Sequence, residues 1–166
     1  MTSLAASGPS GELEAGPELV EALQALTRVL VGVALRSVDI PQAAVSLPQF
    51  RVLAIIADLG PTRPGRIARA LGIDPSTVTR LVDRLVASGH ISRTSDPGHR
   101  GAVTLTLTEL GDDVVAQVAG WRRGELSRIA GQLPLPEQET TTLALRQLVN
   151  AAGPGYGAVI VGLMPL

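Results

Sequence analysis

Ser76, Thr77, Thr79, Arg80 and Arg84 lie close together in the stretch DPSTVTRLVDRL. The hydroxyls can donate or accept hydrogen bonds, and each guanidinium offers a rigid fork of donors that matches a phosphate or a guanine edge. Gathered at the start of a helix, where free backbone N–H groups also attract anions, such a set suits non-covalent recognition of a polyanion. Covalent chemistry has no comparable candidates. The chain has no cysteine, which excludes disulfides, thiolate nucleophiles and Cys-ligated zinc. It shows no Ser/His/Asp set, phosphate-cradling glycine loop, HExxH motif or paired carboxylates in an apolar run, so no enzyme activity and no cofactor are expected. His99 and Asp96 supply at most two metal ligands, too few for a zinc site, and no metal is expected.

The residues around this set must present it. Ile67, Ala68 and Leu71 predict a short buried helix over 64–71, and Gly72 permits a turn. Asp74 is a good N-cap and Pro75 suits the first helical position, predicting a helix over 75–88 with Val78, Leu81, Val82 and Leu85 inward and Gly89 at its end. Ala68, Gly72 and Val78 have the arrangement of a helix-turn-helix crossing. The hydroxyl and arginine set is left on the outer face, as entry into a DNA major groove requires.

The chain has a net charge of −1, which looks wrong for a DNA-binding protein, and all of its 14 basic residues are arginine. Residues 61–101 nevertheless hold seven arginines (63, 66, 69, 80, 84, 93 and 100) against Asp74, Asp83 and Asp96, a local +4, while the remainder carries −5. A basic module therefore rides on an acidic body. Arg80 and Arg84 stand one turn apart and repel by about 0.2–0.5 kcal/mol, a cost that a phosphate, Asp83 or Asp96 would relieve. Arg63, Arg66 and Arg69 either grip phosphates or solvate their helix, with Arg63 the best placed of them for a phosphate. Arg93 either contacts DNA or pairs with a carboxylate, and His90 is expected in a strand.

A first helix is expected over 17–38, where Leu19, Leu23, Leu26, Leu30 and Val33 form a seam for packing along another helix. Ser46 and Pro48 begin a second helix carrying Phe50, Leu53, Ile56 and Leu59, which Gly60-Pro61 stops. Strands at His90–Thr94 and Val103–Leu107 flank the turn-rich SDPGHRGA, a two-stranded wing. Thr108 caps a long helix with Val114, Val118 and Trp121 on one side, LPLP at 133–136 breaks it, and a last helix covers 137–152. The predicted class is mainly α with a small β-hairpin wing.

SLPQFRVLAIIADLG, the helix-turn-helix STVTRLVDRLVASGHISR, the wing SDPGHRGA and LTLTELG together resemble the MarR (multiple antibiotic resistance regulator) family, over about residues 19–152. The resemblance implies a winged helix-turn-helix lobe at 46–108, with dimerisation helices at 17–45 and 109–152. It also implies a homodimer, interlocked through its first and last helices, that reads a pseudo-palindromic double-stranded DNA operator. Ser76, Thr77, Thr79 and Arg80 would enter the major groove and Arg100 the minor groove. A small aromatic or anionic effector, bound in the cleft between lobe and dimer helices, would relieve repression. Arg36, Arg51 and Trp121 are candidates to line that cleft, although Trp121 suits dimer core better. Where the family's wing usually reads D-P-x-D-R-R, this chain has Asp96-Pro97-Gly98-His99-Arg100-Gly101. It lacks the second acid and second arginine, so that either the minor-groove grip is weaker or His99 partly substitutes as a DNA contact. The missing cysteine excludes thiol-oxidation sensing.

Residues 1–16 have no secretory-signal pattern and are expected to form a disordered leader. The apolar tail 153–166 is far shorter than the roughly 20 residues that span a bilayer, so a cytoplasmic location without membrane attachment is expected. The competing reading is a winged-helix dimer that has lost operator binding and serves as a protein-interaction or ligand-binding scaffold.

Overall fold

The computed structural model describes residues 15–39, 44–95 and 103–153. Contacts divide the chain after Val31 into two compact units. The first holds most of helix α1 (Pro17–Arg36), two residues shorter at its end than expected. Of its seam, Val33 is buried, Leu23, Leu26 and Leu30 are half-buried and Leu19 is exposed, as are Val20, Val29 and Val31 outside the seam.

The second unit begins at Gly32 and contains α2 (Leu47–Leu59), α3 (Pro64–Leu71), α4 (Pro75–Ala87), β1 (Ile91–Ser95), β2 (Val103–Leu107), α5 (Glu109–Ala130) and α6 (Leu135–Ala152). Local chemistry accounts for most boundaries. At the start of α2 the Gln49 side chain accepts from the Ser46 N–H at 2.9 Å, with Pro48 in the first turn. After α3, Gly72 adopts φ 64°, ψ 32°, a left-handed conformation that a Cβ would penalise. At the start of α4, Asp74 accepts from the Ser76 N–H at 2.7 Å.

Helix α2 is the hub, packing on α3, α4, α5 and β2. Phe50, Leu53, Ile55, Ile56, Ile67, Leu85 and Leu105 are essentially inaccessible and build the core. Each large aliphatic side chain so buried contributes about 1.5–3 kcal/mol relative to exposure. Helix α6 has no buried residue, and its Leu135, Leu143 and Val149 are 75%, 63% and 71% exposed. It starts two residues before the expected 137, because Pro134 serves as its N-cap and Pro136 fits within its first turn, where no N–H is needed.

The wing strands pair antiparallel from Ile91 opposite Leu107 to Ser95 opposite Val103. A third piece joins them that the sequence reading lacked. Thr62, just after α2, exchanges both backbone hydrogen bonds with Leu105, at 3.0 and 2.8 Å. His90 is not a strand residue. It is buried at the joint before β1, where its N–H donates to the Leu85 carbonyl at 2.9 Å and its ring Nδ1 lies 2.8 Å from the Ser88 hydroxyl.

The joint is closed by LTEL-Gly. The Thr108 hydroxyl donates to the Gly89 carbonyl at 2.6 Å and accepts from the Gly111 N–H at 3.3 Å, while the Thr108 N–H donates to the His90 carbonyl at 3.1 Å. Gly111 passes so close that a Cβ there would overlap the His90 carbonyl oxygen. The motif thus ties the end of α4, the wing base and the start of α5 together.

Candidate nucleic-acid interface

Val78, Val82 and Leu85 of α4 are fully buried, which turns Ser76, Thr79, Arg80, Asp83 and Arg84 to solvent. Thr77 is half-buried, and the Thr79 hydroxyl donates back to the Pro75 carbonyl at 3.0 Å. Hydrogen bonds from the Ser76 side chain and then its N–H hold the Asp74 carboxyl below the ordinary carboxylate range, with a weaker pull from the Arg80 charge. The outer face therefore starts at a capped helix N-terminus and carries two arginines one turn apart.

Among the described residues, neither Arg80 nor Arg84 forms an ion pair with a carboxylate. Asp83 lies next to them in sequence but is taken by a different partner: Arg93 of β1 donates to its Oδ1 at 2.7 Å. Of the two readings left open for Arg93, the carboxylate pairing is the one observed. Arg63 is the extended residue before α3 and, like Arg66 and Arg69, is exposed. His99 and Arg100, with the rest of the wing tip, lie outside the described residues, as do 1–14 and the tail from 154.

The three cleft candidates are scattered in character. Trp121 and Arg51 are half-buried, Arg36 is exposed, and no hydrogen bond or ring contact joins them among the described residues. Arg51 keeps a buried Nε that lacks a hydrogen-bond partner there. The Glu125 carboxyl is held below its ordinary value, chiefly through its hydrogen bond from Arg128 at 2.7 Å, with Arg36 adding a smaller attraction.

The buried charge of this region is Arg122, which the sequence reading missed. Its Nε donates to the Ser37 hydroxyl at 2.6 Å, and its guanidinium lies over the Phe50 ring, 5.1 Å from the centroid. Burial pulls its pKa below the ordinary arginine value. A signal existed in the spacing. Gly111, Val114, Val115, Val118 and Arg122 form the buried stripe of α5, so the arginine rather than Trp121 continues it. No group of three or more metal-binding side chains occurs among the described residues. No described helix is long and apolar enough to cross a membrane.

Two helices crossing at a glycine turn, the second with an exposed Ser/Thr/Arg face and a hairpin packed behind it, define a winged helix-turn-helix. The MarR family model matches residues 45–103, the stretch that contains α2, the helix pair and the wing up to Val103. The structure of RV1404 from Mycobacterium tuberculosis is 34% identical, superposes with a TM-score of 0.74, and covers 87% of this chain and 99% of its own. The HTH-type transcriptional repressor NicR of Pseudomonas putida is 27% identical over 103 residues, which are 62% of this chain and 65% of NicR. The HTH-type transcriptional repressor MdtR of Bacillus subtilis is 29% identical over 130 residues, 78% of this chain and 83% of MdtR. The chain belongs to the MarR family of winged helix-turn-helix regulators.

Proposed function

We propose that this chain is a cytoplasmic transcriptional repressor that binds a pseudo-palindromic operator as a homodimer and is released by a small aromatic or anionic effector. The observation that carries the reading is the outer face of α4, where Ser76, Thr79, Arg80 and Arg84 are exposed while Val78, Val82 and Leu85 lock the helix from behind. Ser76, Thr77, Thr79 and Arg80 address base edges in the major groove. Arg84 and Arg63 take backbone phosphates, and His99 and Arg100 of the wing reach the neighbouring minor groove. A second copy covers the exposed apolar residues of α1 and α6, setting two recognition helices on half-sites roughly 10 bp apart. Effector binding in a cleft near Arg36, Arg51 and Trp121 shifts the spacing of the two lobes.

The test is fluorescence anisotropy with the promoter fragment upstream of the protein's own gene against scrambled DNA, at several salt concentrations. Selective binding is expected, with a log–log salt slope of about −0.9 per neutralised phosphate. Arg80→Ala should abolish the selectivity. Equal, weak binding to both DNAs, confirmed by a random-sequence selection that enriches no motif, would overturn the regulator reading.

A further inference from the structure

The ion pair between Asp83 and Arg93 spans two elements with different tasks. Asp83 is on the recognition helix, between Arg80 and Arg84, and Arg93 is on the first wing strand. The pair is the contact, among the described ion pairs, that joins α4 to the wing; the other, Arg128 with Glu125, stays within α5. Its side chains are 39% and 54% exposed, so it lies at the surface, on the helix that carries the DNA-facing residues. Exposed pairs add little to global stability. A pair of this kind can still set an angle, because β1 continues from Arg93 directly into the wing tip, while α4 is held rigidly by the core.

We infer that Asp83 and Arg93 are positioning residues, a clamp that sets the wing's orientation relative to the recognition helix so that both reach DNA in register. The inference rests on the regulator reading and deepens it. It also explains an acid on an otherwise basic face: a carboxylate that repels phosphate is retained where it holds the wing's own arginine. The competing role for the pair is charge masking, in which Arg93 merely neutralises Asp83. The two roles predict opposite results for one variant. Under masking, Asp83→Asn removes the repulsive charge and tightens DNA binding; under clamping, it loosens the wing and loses selectivity.

Two measurements on the full-length protein decide it. Hydrogen exchange of the β1 and β2 amides in the free protein should accelerate roughly three- to fivefold in Asp83→Asn and Arg93→Gln, the factor that an exposed pair can supply. The unfolding midpoint should stay near that of the wild type. In anisotropy, the ratio of operator to scrambled affinity should fall by a similar factor in both variants. Arg93→Lys, which can still donate to Asp83, should remain within about twofold of wild type. The double variant should be no worse than the poorer single one, the mark of a shared interaction. Unchanged wing exchange in Asp83→Asn, tighter operator binding by it, or additive losses in the double variant would each overturn the clamp. The exchange measurement needs no DNA, so the clamp can fail while the regulator reading stands, and the reverse.

Discussion

Replacing Gly111 with alanine should destabilise the protein, against the usual direction for such a change in a helix. Alanine is ordinarily favoured over glycine by about 0.8–1.0 kcal/mol in a helix interior. At Gly111, however, the added Cβ would overlap the His90 carbonyl oxygen and sit 3.2 Å from both the His90 carbonyl carbon and Leu107 Cδ2. The carbonyl cannot swing aside cheaply. It accepts the Thr108 N–H at 3.1 Å, and its residue is anchored through its own N–H to Leu85 at 2.9 Å. Overpacking costs about 1–3 kcal/mol, and a clash with anchored backbone belongs to the upper part of that range, about 2–3 kcal/mol, so after the helix gain the net loss should be about 1–2 kcal/mol. For a chain of this size that lowers Tm by roughly 2–8 °C. Thermal unfolding at one fixed protein concentration is the assay, since association would otherwise shift the midpoint. Gly120→Ala is the internal control, being on the same helix with nothing within 4 Å of its Cβ position. It should be neutral or stabilising. If Gly111→Ala raises the midpoint as much as Gly120→Ala does, the close approach of α5 to the wing base is not the constraint described.

Partial desolvation raises the Asp58 carboxyl above its ordinary value, although the residue as a whole is exposed. The folded state then binds the proton more tightly than the unfolded state, so this group's contribution to stability falls as pH rises through the interval between the two values. Asp58→Asn should therefore raise Tm at pH 7, with the advantage shrinking towards pH 3.8; an equal gain at both pH values would sink the assignment. Val149 is 71% exposed on α6, where a second copy is proposed to pack. Val149→Asp should leave the helical circular dichroism intact and shift sedimentation towards monomer, and an undiminished dimer would show that α6 is not the interface.

Much of this fold could be read from local chemistry. Pro75 behind Asp74, Gly72 after Leu71, Gly89 after α4 and Thr108 before α5 act within a few residues of themselves, so the end of α3, both ends of α4 to within one residue and the start of α5 followed from spacing and capping, whereas α5 stops at Ala130, short of the LPLP break. The outer face of α4 followed too, because burying Val78, Val82 and Leu85 leaves a helix only one other side. The first helix and α6 were right in kind and off by two residues at one end, where fraying and proline placement decide the boundary.

What the amino-acid pattern alone determined, then, was the order of elements and the set of residues proposed to meet DNA. Only the tertiary structure decided which of them are already engaged. Arg93 reads equally as a DNA contact or as a carboxylate's partner until β1 is laid beside α4 and meets Asp83. Arg122 has no assigned part until α5 crosses Phe50 and brings Ser37, 85 residues away in sequence, within 2.6 Å. Thr62 shows no strand signal because it is a single residue whose pairing is supplied wholly by Leu105. Gly111 looks like a poor helix residue until the His90 carbonyl is placed against it. Capping and periodicity act within one helical turn and are written in neighbouring residues. Ion pairs, strand pairing and close backbone approaches depend on surfaces that exist only after the core has packed.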